Sequence, residues 1–96
     1  MAIVTAHIVV QGKVQGIGFR QFIKDGADAL GLSGTVQNQP DGEVKVVAVG
    51  EKEVIEQLIA KIEAGNGFSK ISKVSVKWKE WGDAGGEFKI VRTSFW

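Results

Sequence analysis

A glycine-rich stretch over residues 12–20 carries the residue types best suited to chemistry in this chain. It follows a run that alternates like a β-strand and leads into a run with helical spacing. At such a junction the free N–H groups of the first helical turn and the positive end of the helix dipole converge. Gly16 and Gly18 allow turns that direct successive N–H groups into one concavity, and Arg20 can close on an anion there. The stretch therefore predicts a phosphate site.

The two common phosphate motifs do not fit this stretch. A P-loop ends in Gly-Lys followed by Ser or Thr, whereas here Lys13 comes early and Val14 follows it. A dinucleotide-binding fingerprint needs a third glycine at the position that Gln21 occupies. From the loop chemistry alone, a glycine-rich connection with a surface arginine explains the residues equally well.

Composition excludes several classes of function. The 96 residues include 12 Lys and Arg against 11 Asp and Glu, a formal net charge of +1, which argues against non-specific binding to nucleic-acid phosphates. The absence of cysteine excludes disulfides, thiol catalysis and cysteine-ligated metal sites. His7 is the single histidine, so no paired-histidine metal site exists and we expect it to be a surface residue. We expect neither a metal nor a cofactor.

Hydrophobic periodicity predicts the order β-α-β-β-α-β followed by a further C-terminal strand. The predicted strands and helices cover, in order, residues 4–10, 19–30, 35–38, 44–49, 54–62, 74–79 and 88–92. Gly31 is placed to end the first helix, and Pro40-Asp41-Gly42 is typical of a hairpin turn. This order predicts an α+β, ferredoxin-like sandwich: an antiparallel sheet with two helices on one face, in a single domain over residues 1–96.

The glycine-rich stretch closely resembles the loop signature of the acylphosphatase family, which runs Gly-x-Val-Gln-Gly-Val-x-Phe-Arg. The family's second signature is matched in spacing by residues 34–38 followed by Gly42, Val44 and Gly50. Thr35 stands where the family usually has an aromatic residue, a departure that concerns packing beside the site. The order of helices and strands also matches the family across essentially the whole chain.

The resemblance implies hydrolysis of acyl phosphates to a carboxylate and inorganic phosphate, without a metal. It implies that backbone N–H groups of the loop hold the phosphoryl group, that Arg20 grips its oxygens, and that Asn38 orients the attacking water. The residues that it assigns to substrate binding are Gln15, Gly16, Ile17, Gly18, Phe19 and Arg20. Such a mechanism is coherent, because an acyl phosphate has a good leaving group and needs positioning and charge stabilisation more than a strong base.

Two other classes of function share features with this chain. The RNA-recognition fold has the same order of elements, but it stacks bases on aromatic residues of its first and third strands, and here those strands have none. A non-catalytic module that binds acyl or carbamoyl phosphate, of the kind that similar domains form inside larger maturation enzymes, stays open. We expect a small-molecule acyl phosphate as the partner, no nucleic acid, no membrane, and a monomer.

The remaining features concern the cellular location of the protein and the exposure of its lysine and tryptophan side chains. No targeting signal or membrane-spanning run is visible, which favours the cytoplasm. Three lysines share one face of a strand, and edge strands use lysine to resist pairing with other chains: Lys73, Lys77 and Lys79. Trp78 is expected in the core, and Trp81 and Trp96 have no assigned role.

Overall fold

The computed structural model describes residues 2–83 and 85–92, so Trp96 lies outside the described residues. Its elements are, in order, β1 (Ile3–Lys13), α1 (Phe19–Ala29), β2 (Ser33–Asn38), β3 (Val44–Glu51), α2 (Lys52–Ala64), β4 (Lys70–Lys79) and β5 (Phe88–Val91). The predicted ferredoxin-like order is confirmed, including the further C-terminal strand. No helix in the described ranges is long and apolar enough to cross a membrane.

The sheet is mixed, which corrects the predicted antiparallel sheet at one edge. Its strand order is β4-β1-β3-β2-β5, and the pairings among the first four strands are antiparallel. β5 pairs in parallel with β2, from Gly34 with Phe88 to Gln37 with Val91. After β4, at one edge of the sheet, the chain crosses to the other edge and forms β5. β5 runs opposite to β4 and therefore in the same direction as β2. A hydrogen bond of 2.9 Å from Thr5 Oγ1 to the carbonyl of Trp81 ties this crossing to β1.

The core lies between the two helices and one face of the sheet. α1 buries Phe19, Ile23 and Ala27 at a spacing of four residues, which is the stripe that a helix presents to a core. The other apolar side chains that are 0% exposed come from β1, β2, β3 and α2: Ala6, Ile8, Val10, Val36, Val44, Val46, Ala48, Ile55, Leu58 and Ile62. Each large side chain buried this way contributes about 1.5–3 kcal/mol to folding. The loop between β1 and α1 is therefore held at both ends by a packed core.

The edge strand β4 carries its three lysines as predicted, but Trp78 is not a core residue. Trp78 pairs in register with buried Ala6, so it lies on the helix-covered side of the sheet. It is nevertheless 38% exposed, because β4 is an edge strand of the sheet that the described residues form. The ammonium of Lys52, the first residue of α2, lies 5.3 Å from the ring centre and covers part of it.

Candidate active site

The loop between β1 and α1 is a strand-to-helix junction of the predicted kind. Val14 and Phe19 are each 1% exposed and anchor its two ends in the core. Between them, Gly16 and Gly18 have φ angles of 74° and 75°, in the left-handed region that side chains disfavour. A Cβ at either position would meet nothing within 4 Å, so the backbone conformation, not the available space, requires glycine there.

The N-terminus of α1 is open to an anion. Gly18 is the N-cap residue, no side chain in the described chain caps the helix, and the first turn carries no acidic residue. The first N–H groups of the helix therefore lack an intrahelical partner, and the helix dipole adds positive potential beside them. Together with the left-handed glycines, these groups form a concavity suited to a phosphoryl group.

Gln15 ties the loop to the hairpin between β2 and β3. Its side-chain Nε2 donates to the carbonyl of Gln39 at 2.8 Å and to the carbonyl of Glu43 at 2.9 Å. Those two residues also pair with each other, since the N–H of Gln39 donates to the carbonyl of Glu43. The Gln15 side chain thus faces the hairpin and not the cavity beside Arg20. The bond matters for the site because Asn38 directly precedes Gln39.

One cavity of about 180 Å³ brings the predicted residues together. Its lining residues are Val14, Gly16, Gly18, Phe19, Arg20, Gln21, Asn38, Ile90 and Arg92. Five of the seven residues singled out in the sequence are in this set. Gln15 and Ile17 are not: Gln15 turns to the hairpin, and Ile17 packs against the core while its carbonyl accepts a hydrogen bond from Asn66. The cavity is small beside sites for larger ligands, which usually occupy about 300–1,000 Å³.

Arg92 is a second guanidinium at this cavity that sequence reasoning missed. β2 and β5 run in parallel up to the pair Gln37 and Val91, and the next residues are Asn38 and Arg92. Which edge of the sheet the last strand occupies depends on long-range packing, so no local pattern could have placed Arg92 there. The position of Arg92 beside Asn38 could be predicted only if the parallel register of β2 and β5 were known.

The cavity is electropositive. The ion pair formed within the described ranges joins Lys24 and Asp28, so Arg20 and Arg92 have no carboxylate partner in this part of the chain. His7 lies elsewhere, on the sheet face opposite the helices, beside Lys45, Lys77 and Lys79. Burial and then the charges of Lys79 and Lys45 lower the His7 pKa from its ordinary value. This location agrees with a surface role and keeps His7 out of the cavity.

A larger groove of about 700 Å³ lies between α1 and β5, and its lining includes Lys24, Asp28, Glu87 and Lys89. Lys24 is engaged by Asp28 at 2.6 Å, and neither sequence signature reaches this groove. We therefore assign the site to the smaller cavity, where the loop, the helix N-terminus and two arginines meet. The described residues contain no group of three or more His, Cys, Asp or Glu side chains that could hold a metal ion.

Comparisons with known proteins identify the family and support the fold. The sequence model of the acylphosphatase family matches residues 6–90. The acylphosphatase of Pelotomaculum thermopropionicum is 40% identical over 85 residues, which cover 88% of this chain and 92% of that protein. The crystal structure of acylphosphatase from Bacillus subtilis superimposes with a TM-score of 0.88 at 34% identity, covering 92% of this chain and 98% of that one. A crystal structure of full-length HypF in the phosphate- and nucleotide-bound form matches with a TM-score of 0.84 at 33% identity, covering 93% of this chain but 12% of that one. The chain belongs to the acylphosphatase family, the hydrolases of acyl phosphates.

Proposed function

We propose that this protein hydrolyses acyl phosphates in the 180 Å³ cavity. The backbone N–H groups of residues 15–20 and the guanidinium of Arg20 hold the phosphoryl group, and the side-chain amide of Asn38 orients the attacking water. One observation carries the proposal: Asn38, at the end of β2, lines the same cavity as Gly16, Gly18 and Arg20 of the loop and the start of α1.

The loop and Arg20 supply the charge stabilisation that phosphoryl transfer needs. In a loose transition state, negative charge spreads over the three equatorial phosphoryl oxygens. N–H groups fixed by the left-handed glycines and by the start of α1 do not have to reorganise as that charge develops. Arg20 is half-buried and has no carboxylate partner in the described ranges, so its planar fork can bind two of these oxygens.

Asn38 supplies position rather than basicity. It ends β2, and its pairing with Val44 in β3 fixes the backbone from which its side chain extends. An amide directs water without titrating, which suits a site whose lining contains no histidine or carboxylate among the described residues. A bond forms between the water oxygen and phosphorus while the bond from phosphorus to the acyl oxygen breaks. The products are the carboxylate and inorganic phosphate, and a phosphoryl oxygen takes the proton of the water.

The proposal extends to the form in which the protein works. Residues 1–96 act as one domain, and the protein works as a monomer in the cytoplasm. It needs neither a metal ion nor a cofactor, because the N–H groups of the loop and Arg20 stabilise the negative charge of the phosphoryl group. Turnover of benzoyl phosphate with and without excess EDTA tests the reaction and its metal independence together. A large loss that a divalent ion restores would contradict the metal-free mechanism.

A second candidate is a module that binds acyl or carbamoyl phosphate without hydrolysing it. The similarity to a small part of full-length HypF favours this candidate, because there a domain of the same fold belongs to a much longer chain. The same assay separates the two. An enzyme turns benzoyl phosphate over many times per molecule, whereas a binding module protects it or leaves its spontaneous hydrolysis unchanged.

A further inference from the structure

Asn66 connects the turn between α2 and β4 to the centre of the phosphate loop. Its side-chain Nδ2 donates a hydrogen bond of 3.1 Å to the backbone carbonyl of Ile17, 49 positions earlier in the chain. Ile17 lies between the two left-handed glycines, Gly16 and Gly18. The sequence assigned Asn66 no role, because a Gly-Asn-Gly segment after a helix is typical of an ordinary turn.

The direction of the Asn66 amide is fixed by its own turn. Oδ1 accepts hydrogen bonds of 3.0 Å from the N–H groups of both Phe68 and Ser69. The hydroxyl of Ser69 accepts in return from the N–H of Asn66 at 3.3 Å. With Oδ1 held by two donors, Nδ2 is the end of the amide that meets the Ile17 carbonyl. The turn follows α2 directly, and fully buried Ile62 near the end of that helix gives it a rigid base.

The bond to Ile17 matters because the surrounding backbone has little intrinsic restraint. The glycines on both sides have no Cβ, so the chain alone does not fix the orientation of the peptide between Ile17 and Gly18. In a trans peptide, the carbonyl of one residue and the N–H of the next point in opposite directions. A carbonyl held towards the α2–β4 turn therefore directs the Gly18 N–H away from that turn.

We propose that Asn66 is a positioning residue of the phosphate site: it fixes the Ile17–Gly18 peptide so that the Gly18 N–H donates to the bound phosphoryl group. The inference rests on the proposed function in one respect, that the loop holds the phosphoryl group. Without Asn66 the peptide can rotate, and its carbonyl oxygen then repels the anion that its N–H should attract. Oriented donors of this kind are effective only when surrounding contacts hold them in place.

Two substitutions separate this role from the structure of the turn. Asn66→Asp keeps oxygen acceptors for Phe68 and Ser69 but replaces the donor to Ile17 by an oxygen. Asn66→Ser is uncharged, keeps a short acceptor in the turn and is too short to reach Ile17. Ser69→Ala is the matched control, because it removes one hydrogen bond of the turn and leaves the bond from Asn66 to Ile17 intact.

The measurement is the binding of inorganic phosphate, followed at the Gly18 amide by ¹H–¹⁵N NMR, with kcat and KM for benzoyl phosphate beside it. We expect both Asn66 variants to stay folded, to bind phosphate roughly 3- to 10-fold more weakly, and to show a smaller phosphate-induced shift at Gly18. KM should rise with the phosphate dissociation constant. The additional loss in Asn66→Asp should shrink at high salt, which screens its charge. Ser69→Ala should bind phosphate as the unsubstituted protein does.

Two results would overturn the inference, and they are distinguishable. If Gly18 in the unsubstituted protein does not respond to phosphate, then the loop is not the phosphoryl site and the role of Asn66 fails with it. If Gly18 responds but folded Asn66→Ser binds phosphate with the same affinity and the same shift, the proposed function stands and the positioning role alone is wrong.

Discussion

The side-chain amide of Gln15 bridges the phosphate loop and the hairpin that follows Asn38, donating to the carbonyl of Gln39 at 2.8 Å. A second bond of 2.9 Å to the carbonyl of Glu43 holds the other side of the same hairpin. The group proposed to orient water and the groups proposed to hold phosphate are thus connected by one side chain. Their separation is set by Gln15 and not only by the sheet.

Gln15→Met should lower both stability and turnover. Methionine keeps the length of the side chain but donates neither hydrogen bond, and each is worth about 0.5–1.5 kcal/mol. A loss of 1 kcal/mol lowers the Tm of a chain of this size by roughly 4–8 °C. Because the loop then moves relative to Asn38, kcat should fall as well. Calorimetry and benzoyl phosphate kinetics measure the two effects.

Gln11→Met is the matched control for that experiment. Gln11 also donates its side-chain amide to the hairpin, at the carboxylate of Glu43, but it lies in β1 before the loop. Its loss should change stability with little effect on kcat. Equal falls of kcat in the two variants would show that the hairpin, and not its link to the loop, governs turnover.

Arg20→Lys should recover little of the activity that Arg20→Ala loses. The ammonium keeps the charge but lacks the two parallel donors that match phosphoryl oxygens. A charge-assisted hydrogen bond contributes about 1.5–3 kcal/mol, so each one lost costs roughly 10- to 100-fold in kcat/KM. Lys24→Ala is the control, since it removes a cation from the same helix outside the cavity. Near-normal kinetics for Arg20→Lys would rule out recognition by a bidentate guanidinium.

Much of the site was predictable because its key features are local. The left-handed glycines, the start of α1 at Phe19 and the positions of Arg20 and Asn38 all follow from short motifs. The features that escaped prediction depend on long-range contacts. Asn66 meets Ile17 only after α2 is packed, and Arg92 reaches the cavity only because β5 joins β2.

The length of β1 shows the same limit within the sheet. The predicted strand ended at residue 10, but β1 continues to Lys13 because it pairs with the start of β4, at Lys70. The register shifts between Gln11 and Gly12, where a Cβ on Gly12 would lie 2.0 Å from the carbonyl oxygen of Lys70. Residues 11–13 and 70–73 do not show the alternation of apolar and polar residues that indicates a strand. Their pairing therefore could not be predicted from sequence.

His7 should make the protein less stable below neutral pH. Its folded-state pKa is lowered from 6.5, first by burial and then by Lys79 and Lys45, while Lys77 also lines its side of the sheet. As the pH falls through 6.5, the unfolded chain takes up a proton that the folded protein does not. The stabilisation from neutral His7 is therefore present above pH 6.5 and is lost as the pH falls towards the folded-state pKa.

His7→Gln tests this directly. The variant lacks the titrating group, so its Tm should decline less than that of the unsubstituted protein between pH 7.5 and about pH 5. The groups that the two proteins share contribute equally to both curves and cancel in the difference. Parallel curves of Tm against pH would contradict a lowered pKa. Because His7 lies outside the cavity, kcat at pH 7.5 should be unchanged.

Asn38→Ala separates the positioning of water from the binding of phosphate. Asn38 is proposed to contact the attacking water, whereas the loop and Arg20 hold the phosphoryl group, so KM and competitive inhibition by phosphate should change little. Turnover should fall roughly 10²–10³-fold, because the water loses its in-line orientation. A fall in kcat at constant KM indicates an interaction made mainly in the transition state. If Asn38 merely ends β2, alanine should lower Tm slightly and leave kcat intact. Measuring kcat, phosphate inhibition and Tm on this variant decides between a water-positioning role and a purely structural one. An unchanged kcat in a folded protein would remove Asn38 from the mechanism.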